Sequence, residues 1–599
     1  VKHGNGDTAA GKAERPWLPF AIIIAAAALA HLWCLGSQFY LDDMSQIRDH
    51  DVVRSGQFWK GKLNAWTYLG YAVQYRLFGI SSAGFHAVNW LLHTAVACAL
   101  FAFGRDFLKG KWPAGVAWFA ALLFAVHPLA SEIPNYARTQ DLAWVTLFSL
   151  LAAWGLLRFL RETGWRLEPP GPNDEIPVFR RSWRRWSWLA LCVFSVAGAT
   201  ISKGPGLFHA LMAVGVVGLA FAPAGLGNLL RRRKWLLPTA VAGLFAVMWA
   251  LGLFRYGLGI FDQWSNPRFI GHAYTVSRVF WEFAWRSVIP VALSADHHIA
   301  ETLVPAGAKF WNIPDRIAML SAVTFLGFAA FSGWLAWRKS TRLLGVCLLL
   351  YVATMLVRLL YMIPEFMPEY RIYPGMPWFC LGAAIVLTTT WKWMFTTVTP
   401  KIPALILLGT FAMLSAKRSF QWHDLDHLMA DVLKQYPTQA RAIWELHDRD
   451  LAAGKWQAVI DRQERDFPEV RRKFIARLPE LAPARELPTG HFSMAEVACT
   501  GRYAVATAHV KGPAAGMQVI NGLEAYMQAM RIVPETNGVH WNLFNRDKAL
   551  ILELAGNYQA ALNCLKQKPT PEQPNPQPLW PREYERISRK LAEVTKPGS

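Results

Sequence analysis

Apolar residues in this chain come in runs of about twenty, broken by short polar or basic connections. The first run, from Trp17 to Gly36 (PFAIIIAAAALAHLWCLG), has the ~20 residues that a helix needs to cross a bilayer. Further runs at 85–104, 112–128, 141–160, 186–201, 205–222, 235–254, 317–337, 342–363, 376–393 and 400–416 bring the prediction to about eleven spans. No small-residue cleavage site follows the first run, so it reads as an anchor rather than a removed signal peptide. A further apolar stretch at 275–293 carries Arg278, Glu282 and Arg286 at helical spacing, which predicts a helix lying in the membrane interface. After Lys417 no run is long enough to span, and charged residues become frequent.

Charged residues are 17 % of the 599, well below the ~25 % of soluble domains, so a single water-soluble globule is excluded. The 29 Trp and 35 Phe carry too much apolar surface for intrinsic disorder. The formal charge of +21 would suit nucleic acid, but its location argues otherwise. The positive residues gather in alternate connections: Arg105/Lys109/Lys111, Arg158 to Arg185, Arg231 to Lys234, and Arg338/Lys339/Arg342. By the positive-inside rule these connections and the N-terminus are cytoplasmic, and the charge marks topology. An odd number of spans then places the region after Lys417 outside. Seven Cys show no zinc-ligand spacing, and Cys499 and Cys564 could pair in an oxidising compartment.

With that orientation, polar residues from distant segments meet on the outer face. The first outer loop, 37–84, opens with FYLDDMSQIRDHDVV, where Asp42 and Asp43 directly follow a span. The third span leads into HPLASEIPNYARTQD, with His127, Glu132, Arg138 and Asp141. Lys203 lies just after the fifth span, and the ninth leads to Glu365, Glu369, Arg371 and Tyr373. Acids at this depth are costly unless paired, hydrated or metal-bound. The arrangement suits a sugar carried on a polyprenyl phosphate. Cations such as Lys203 and Arg371 would grip the phosphate as it leaves, and an ionised Asp would deprotonate the acceptor hydroxyl. His86, Asn89 and His93 share one face of the second span, suiting either interhelical hydrogen bonds or a place beside the donor. Asp42 or Asp43 could also ligate a divalent cation such as Mg or Mn, though no fuller ligand set is visible.

The stretches FYLDDMSQIRDHDV (39–52) and LFGISSAGFHAVNWLLH (77–93) resemble the transmembrane-and-tetratricopeptide protein O-mannosyltransferases and their bacterial relatives. HP-x3-E with R-x2-D (127–141), S-K-x-x-G (202–206), P-x2-L-S-x-D (290–296) and E-x-R-x-Y-P-x-M (369–376) are similar to that family in the same order. The resemblance implies the GT-C glycosyltransferase fold, a lipid-linked sugar donor, and a catalytic base in the acidic pair Asp42–Asp43. Departures are Gly61-Lys62-Leu63 in place of Arg-Pro-Leu and Lys203-Gly204 in place of Lys-Glu.

The expected architecture is therefore all-α: a GT-C membrane domain over 1–416 and a tetratricopeptide-like helical domain over 417–599. LAAGKWQAVIDRQ (451–463) and LELAGNYQAALNCL (552–565) carry the turn-and-packing pattern of such repeats, predicting two or three helical hairpins interrupted by loops at 478–516. This domain would present a polypeptide acceptor, so the expected reaction glycosylates a Ser/Thr hydroxyl of an exported protein. The expected setting is a bacterial inner membrane, with the C-terminal domain periplasmic. The alternatives are a GT-C enzyme acting on a lipid or polysaccharide, a transporter, and a non-catalytic assembly scaffold. A transporter should show inverted internal symmetry and charges near the bilayer midplane, neither of which is visible.

Overall fold

The computed structural model describes residues 16–162, 183–221, 269–297, 299, 302, 315–359, 367–394, 401–437, 439–466, 494–529, 538–566 and 580–595. They form helices and turns, with no strand among the described residues. The chain divides into two compact units, Val1–Asp424 and Leu425–Ser599.

In the first unit the helices are α1 (Leu18–His31), α2 (Asp51–Ser55), α3 (Ala65–Phe78), α4 (Ser82–Phe107), α5 (Ala114–Ala125), α6 (Glu132–Asn135) and α7 (Gln140–Glu162). They continue with α8 (Trp183–Ser202), α9 (Gly206–Phe221), α10 (Phe269–Val288), α11 (Arg316–Trp337), α12 (Arg342–Leu359), α13 (Met376–Met394) and α14 (Lys401–Gln421). Among the described residues seven helices are long and apolar enough to cross a membrane, or eight if the bent pair Ala114–Ala125 and Pro128–Asn135 is one span. Helices α8 and α9 occupy two more predicted spans, although α9 is shorter and α8 opens on Trp183-Arg184-Arg185. The predicted span 235–254 lies outside the described residues.

The core joins α4, α5, α7, α12 and α13 through Phe103, Phe124, Leu150, Leu157, Val346 and Leu381. Helices α11 and α14 turn Ile317, Leu320, Trp337, Ile402 and Leu405 outward, an apolar exterior that suits lipid. Helices α7 and α8 touch backbone to backbone at Gly155, where a Cβ would lie 2.8 Å from Trp188 O, so small size is required there. Helix α10 is amphipathic as predicted, but its Val276, Val279, Phe280 and Phe283 are buried in this core and it ends before Pro290.

Helix α5 fills most of the third predicted span, 112–128, and the chain bends at its end. A 56° bend follows α5, and neighbouring side chains satisfy the carbonyls it frees. His93 Nε2 donates to Ala125 O at 3.2 Å, and Ser415 Oγ donates to Val126 O at 2.9 Å. His127 Nε2 donates onward to Ser287 O at 3.0 Å. Helix α14 runs past the predicted end at 416 to Gln421, because Ser415, Arg418 and Ser419 all have buried partners on the bent segment and its neighbours.

The second unit holds α15 (Leu425–Gln435), α16 (Ala440–Ala452), α17 (Trp456–Asp466), α18 (Met494–Lys511), α19 (Pro513–Ala529), α20 (Gly538–Leu554), α21 (Tyr558–Leu565) and α22 (Pro581–Thr595). The two sequence signatures fall on the pairs α16–α17 and α20–α21. Gly454 (φ 69°) and Gly556 (φ 74°) take the left-handed conformation that ends the first helix of each pair. The expected loop over 478–516 is corrected in part, since α18 and the start of α19 occupy 494–511 and 513–516. Helix α18 is buried on several sides, with Val497, Ala504 and Ala508 in one cluster and Tyr503 and Ala506 in another, so it shows no amphipathic stripe. At its centre the buried Arg502 bridges Asp547 and Asp448 at 2.5 Å each. Cys499 and Cys564 are free thiols in separate clusters rather than a disulfide; Cys499 donates to Ala440 O.

Candidate active site

The stretch that follows α1 carries a strained residue just before the acidic pair. Leu41 has φ 52°, a left-handed conformation costly for a residue with a Cβ, and it directly precedes the aspartates. The two acids then diverge. Asp43 is 1 % exposed, and its Oδ1 accepts the Arg138 N–H at 2.7 Å while Oδ2 accepts the Tyr40 N–H at 3.4 Å. Burial pushes its pKa up to about 8, although both hydrogen bonds pull the other way. Asp42 instead keeps 44 % of its side chain exposed, with Oδ2 3.9 Å from Arg138 Nε. Its N–H donates to Tyr136 Oη at 3.1 Å.

A carboxylate shared between two cations lies beside this pair. Asp141 Oδ2 accepts from Arg138 Nη1 at 3.0 Å and from Lys203 Nζ at 2.7 Å. Its Oδ1 accepts the Leu142 N–H at 2.7 Å. Lys203 sits in the turn between α8 and α9, which is tied to the first loop where Thr67 Oγ1 donates to Ser202 O at 2.8 Å. Burial lowers the pKa of Lys203 to about 8, with Asp141 opposing and the charges of Arg138 and Arg371 adding to the fall. Arg371 therefore belongs to the same electrostatic neighbourhood. Its guanidinium lies 5.5 Å from the ring of Tyr370, which in turn is 6.1 Å from the ring of Tyr136.

Other predicted site residues are used by the protein itself. Asn89 Nδ2 donates to Ile133 O, Tyr136 O and Ala137 O at 2.8, 3.0 and 3.2 Å. His86 Nδ1 donates to Pro134 O at 3.0 Å. Both therefore clamp the turn that presents Tyr136 and Arg138. His93 Nδ1 accepts from Tyr373 Oη at 3.0 Å. The sequence placed Glu132, Glu369, His127 and Tyr373 at the substrate, but all four are buried against protein groups. Glu132 Oε2 accepts the Tyr370 N–H at 2.7 Å. His127 spends Nδ1 on the Leu129 N–H as well as Nε2 on Ser287. Glu369 accepts from Ser294 N, His297 and Arg418. Glu365 lies outside the described residues.

Sequence reasoning passed over Tyr136, Tyr71, Tyr370, His297 and Arg418. Tyr71 Oη donates to Arg138 O at 2.8 Å, which fixes the arginine's backbone from the first loop. The available signals were Tyr136 inside the 127–141 motif and Arg418 as a cation just past an apolar run. Among the described residues no group of three or more His, Cys, Asp or Glu could hold a metal ion. Of the pair proposed as cation ligands, Asp43 gives an oxygen to each of two main-chain N–H groups, while Asp42 keeps its carboxylate exposed.

No family model matches the chain. Over 150 residues it is 27 % identical to the protein O-mannosyl-transferase F38B6.6 of Caenorhabditis elegans. That alignment takes in 22 % of this chain and 22 % of the relative, so the chain matches about a fifth of that protein's length. The likeness agrees with the resemblance carried by the motifs. Among solved structures, ArnT from Cupriavidus metallidurans, crystallised with undecaprenyl phosphate, aligns over 96 % of this chain and 88 % of its own. The identity there is 13 % and the TM-score 0.31.

Proposed function

We propose that the chain is a membrane glycosyltransferase of the GT-C type that moves a sugar from a polyprenyl-phosphate carrier to a Ser/Thr hydroxyl of an exported protein. The observation that carries this reading is the ion-paired chain Arg138–Asp141–Lys203 beside an accessible carboxylate, Asp42, with the charge of Arg371 acting on Lys203. Asp141 offsets one of the three cations and keeps two of them together, leaving a net positive cradle for one phosphate. The likeness to a named O-mannosyl-transferase supports the class.

In this reading the acceptor hydroxyl gives its proton to Asp42, and its oxygen attacks the anomeric carbon of the sugar. The bond from that carbon to the phosphate oxygen breaks, and the three cations stabilise the charge on the departing polyprenyl phosphate. Asp43 is assigned to positioning, because burial keeps it protonated at neutral pH and its oxygens hold the Arg138 turn. The second unit is assigned to polypeptide capture through its helical hairpins, and the site faces the exported side of a bacterial inner membrane.

The test is transfer from a polyprenyl-phosphate sugar to a Ser/Thr-rich peptide by the purified protein, followed by mass spectrometry. Wild type adds one sugar mass per event, and Asp42→Asn adds none while remaining folded. Undiminished transfer by Asp42→Asn would refute its role as base.

A further inference from the structure

We propose that Glu369, His297 and Arg418 form a positioning cluster that sets Arg371 for the carrier phosphate; this rests on the reading of Arg371 as a phosphate ligand. Arg371 lies on a 3₁₀ segment, Glu369–Gly375, that has seven residues and contains Pro374. Runs of this helix beyond three or four residues are uncommon in isolation, because their hydrogen bonds are poorly aligned. This segment is held from outside at successive positions. The Tyr370 N–H is taken by Glu132 at 2.7 Å, and the Tyr373 hydroxyl by His93 at 3.0 Å.

Glu369 supplies the fastening nearest Arg371. It is fully buried, and its two oxygens reach different elements. Oε1 accepts the Ser294 N–H at 2.7 Å and His297 Nε2 at 2.8 Å; Oε2 lies 3.4 Å from Arg418 Nη2 at the end of α14. One carboxylate thus joins three stretches far apart in sequence: 294–297, 369–375 and the last turns of α14. A buried carboxylate is tolerable only with such compensation, so Glu369 cannot turn to a ligand without giving up its bonds to Ser294, His297 and Arg418. The segment it holds at 294–297 follows Ala292, whose φ of 52° is a strained backbone that outside contacts must maintain. Arg371 lies two residues beyond Glu369, so loosening the carboxylate lets the guanidinium drift. The most that such drift can cost in affinity is the whole worth of the Arg371 contact.

A double-mutant cycle on the full-length protein tests this, read as the Kd for radiolabelled polyprenyl phosphate in detergent micelles. Arg371→Ala is expected to weaken binding about tenfold, near the worth of one charge-assisted contact. His297→Leu, which removes the donor, and Arg418→Lys, which keeps charge but loses the planar fork, should each weaken it about fivefold or more. His297→Asn can still donate to Glu369 and should restore most of the loss. In the Arg371→Ala background neither His297→Leu nor Arg418→Lys should add anything. Full additivity there, or wild-type affinity in both single variants, overturns the positioning role while leaving Arg371 as a ligand. An unchanged Kd in Arg371→Ala overturns the phosphate reading and this proposal with it.

Discussion

Lys203 offers the sharpest perturbation, because its charge and its packing can be separated. Replacing it with Ala removes one cation from the cradle, yet Asp141 keeps Arg138 at 3.0 Å and the Leu142 N–H at 2.7 Å. Asp141 is therefore not orphaned, and the fold should survive with less than the roughly 3–5 kcal/mol loss of a fully broken buried pair. A hydrogen bond to a charged group contributes about 1.5–3 kcal/mol, so affinity for polyprenyl phosphate should fall about 10- to 150-fold. The same lysine sets a pH limit. With its pKa lowered to about 8, it is charged below that pH and neutral above, so wild-type affinity should decline as the pH climbs past about 8. Lys203→Arg stays charged and should hold affinity to higher pH. Asp43 titrates in the same range, so the comparison is repeated in Asp43→Asn, where any remaining decline belongs to Lys203. The assay is equilibrium binding of the radiolabelled carrier between pH 6 and about 10. An affinity within twofold of wild type for Lys203→Ala, or an unaltered decline in Lys203→Arg, would refute the reasoning.

Three further predictions concern stability. The Asp43 pKa is raised in the folded state, so between about 4 and 8 the native protein binds a proton that the unfolded chain has lost, and stability falls as pH rises through that window. Asp43→Asn mimics the protonated form, and the melting temperature of the variant should gain on wild type from pH 5 to 8. Asn89→Ala removes the amide that ties Ile133, Tyr136 and Ala137 together, although Thr139 and Tyr71 still donate to these carbonyls, and should cost about 1–2 kcal/mol, seen as a lower midpoint in thermal denaturation. In the second unit Arg502→Met leaves Asp448 and Asp547 without their shared cation and should cost about 3–5 kcal/mol, measurable as faster proteolysis there; binding of the carrier should be unchanged.

Much of the membrane unit was legible because a bilayer imposes length and apolarity on whatever crosses it. The helices therefore fall close to the predicted spans, although the bend after α5 was not read from the sequence. Less was legible where burial runs all round an element. Helix α18 carries small residues on several faces, leaving Pro and Gly nearby as the stronger but misleading signal. At the site, Arg138, Asp141, Lys203 and Arg371 were recognisable as charges that one membrane depth must pair. Sequence alone could not separate ligands from braces. Glu369 and Arg371 share one motif, yet one is fully buried and braces three segments, while the other packs over Tyr370 and its charge acts on Lys203. The division between Asp42 and Asp43 was equally hidden, since it depends on Arg138 and Tyr40 offering their N–H groups to the second carboxylate.

The most direct test of the central claim compares two ligands that differ only in the phosphate: a polyprenyl phosphate and the matching polyprenol, each titrated against the full-length protein in detergent micelles. The cationic cradle predicts saturable binding of the phosphate, little binding of the alcohol, and loss of the difference in a variant carrying Arg138→Ala, Lys203→Ala and Arg371→Ala together. Equal binding of the two ligands by wild type, or a preference that survives in the triple variant, would contradict the account.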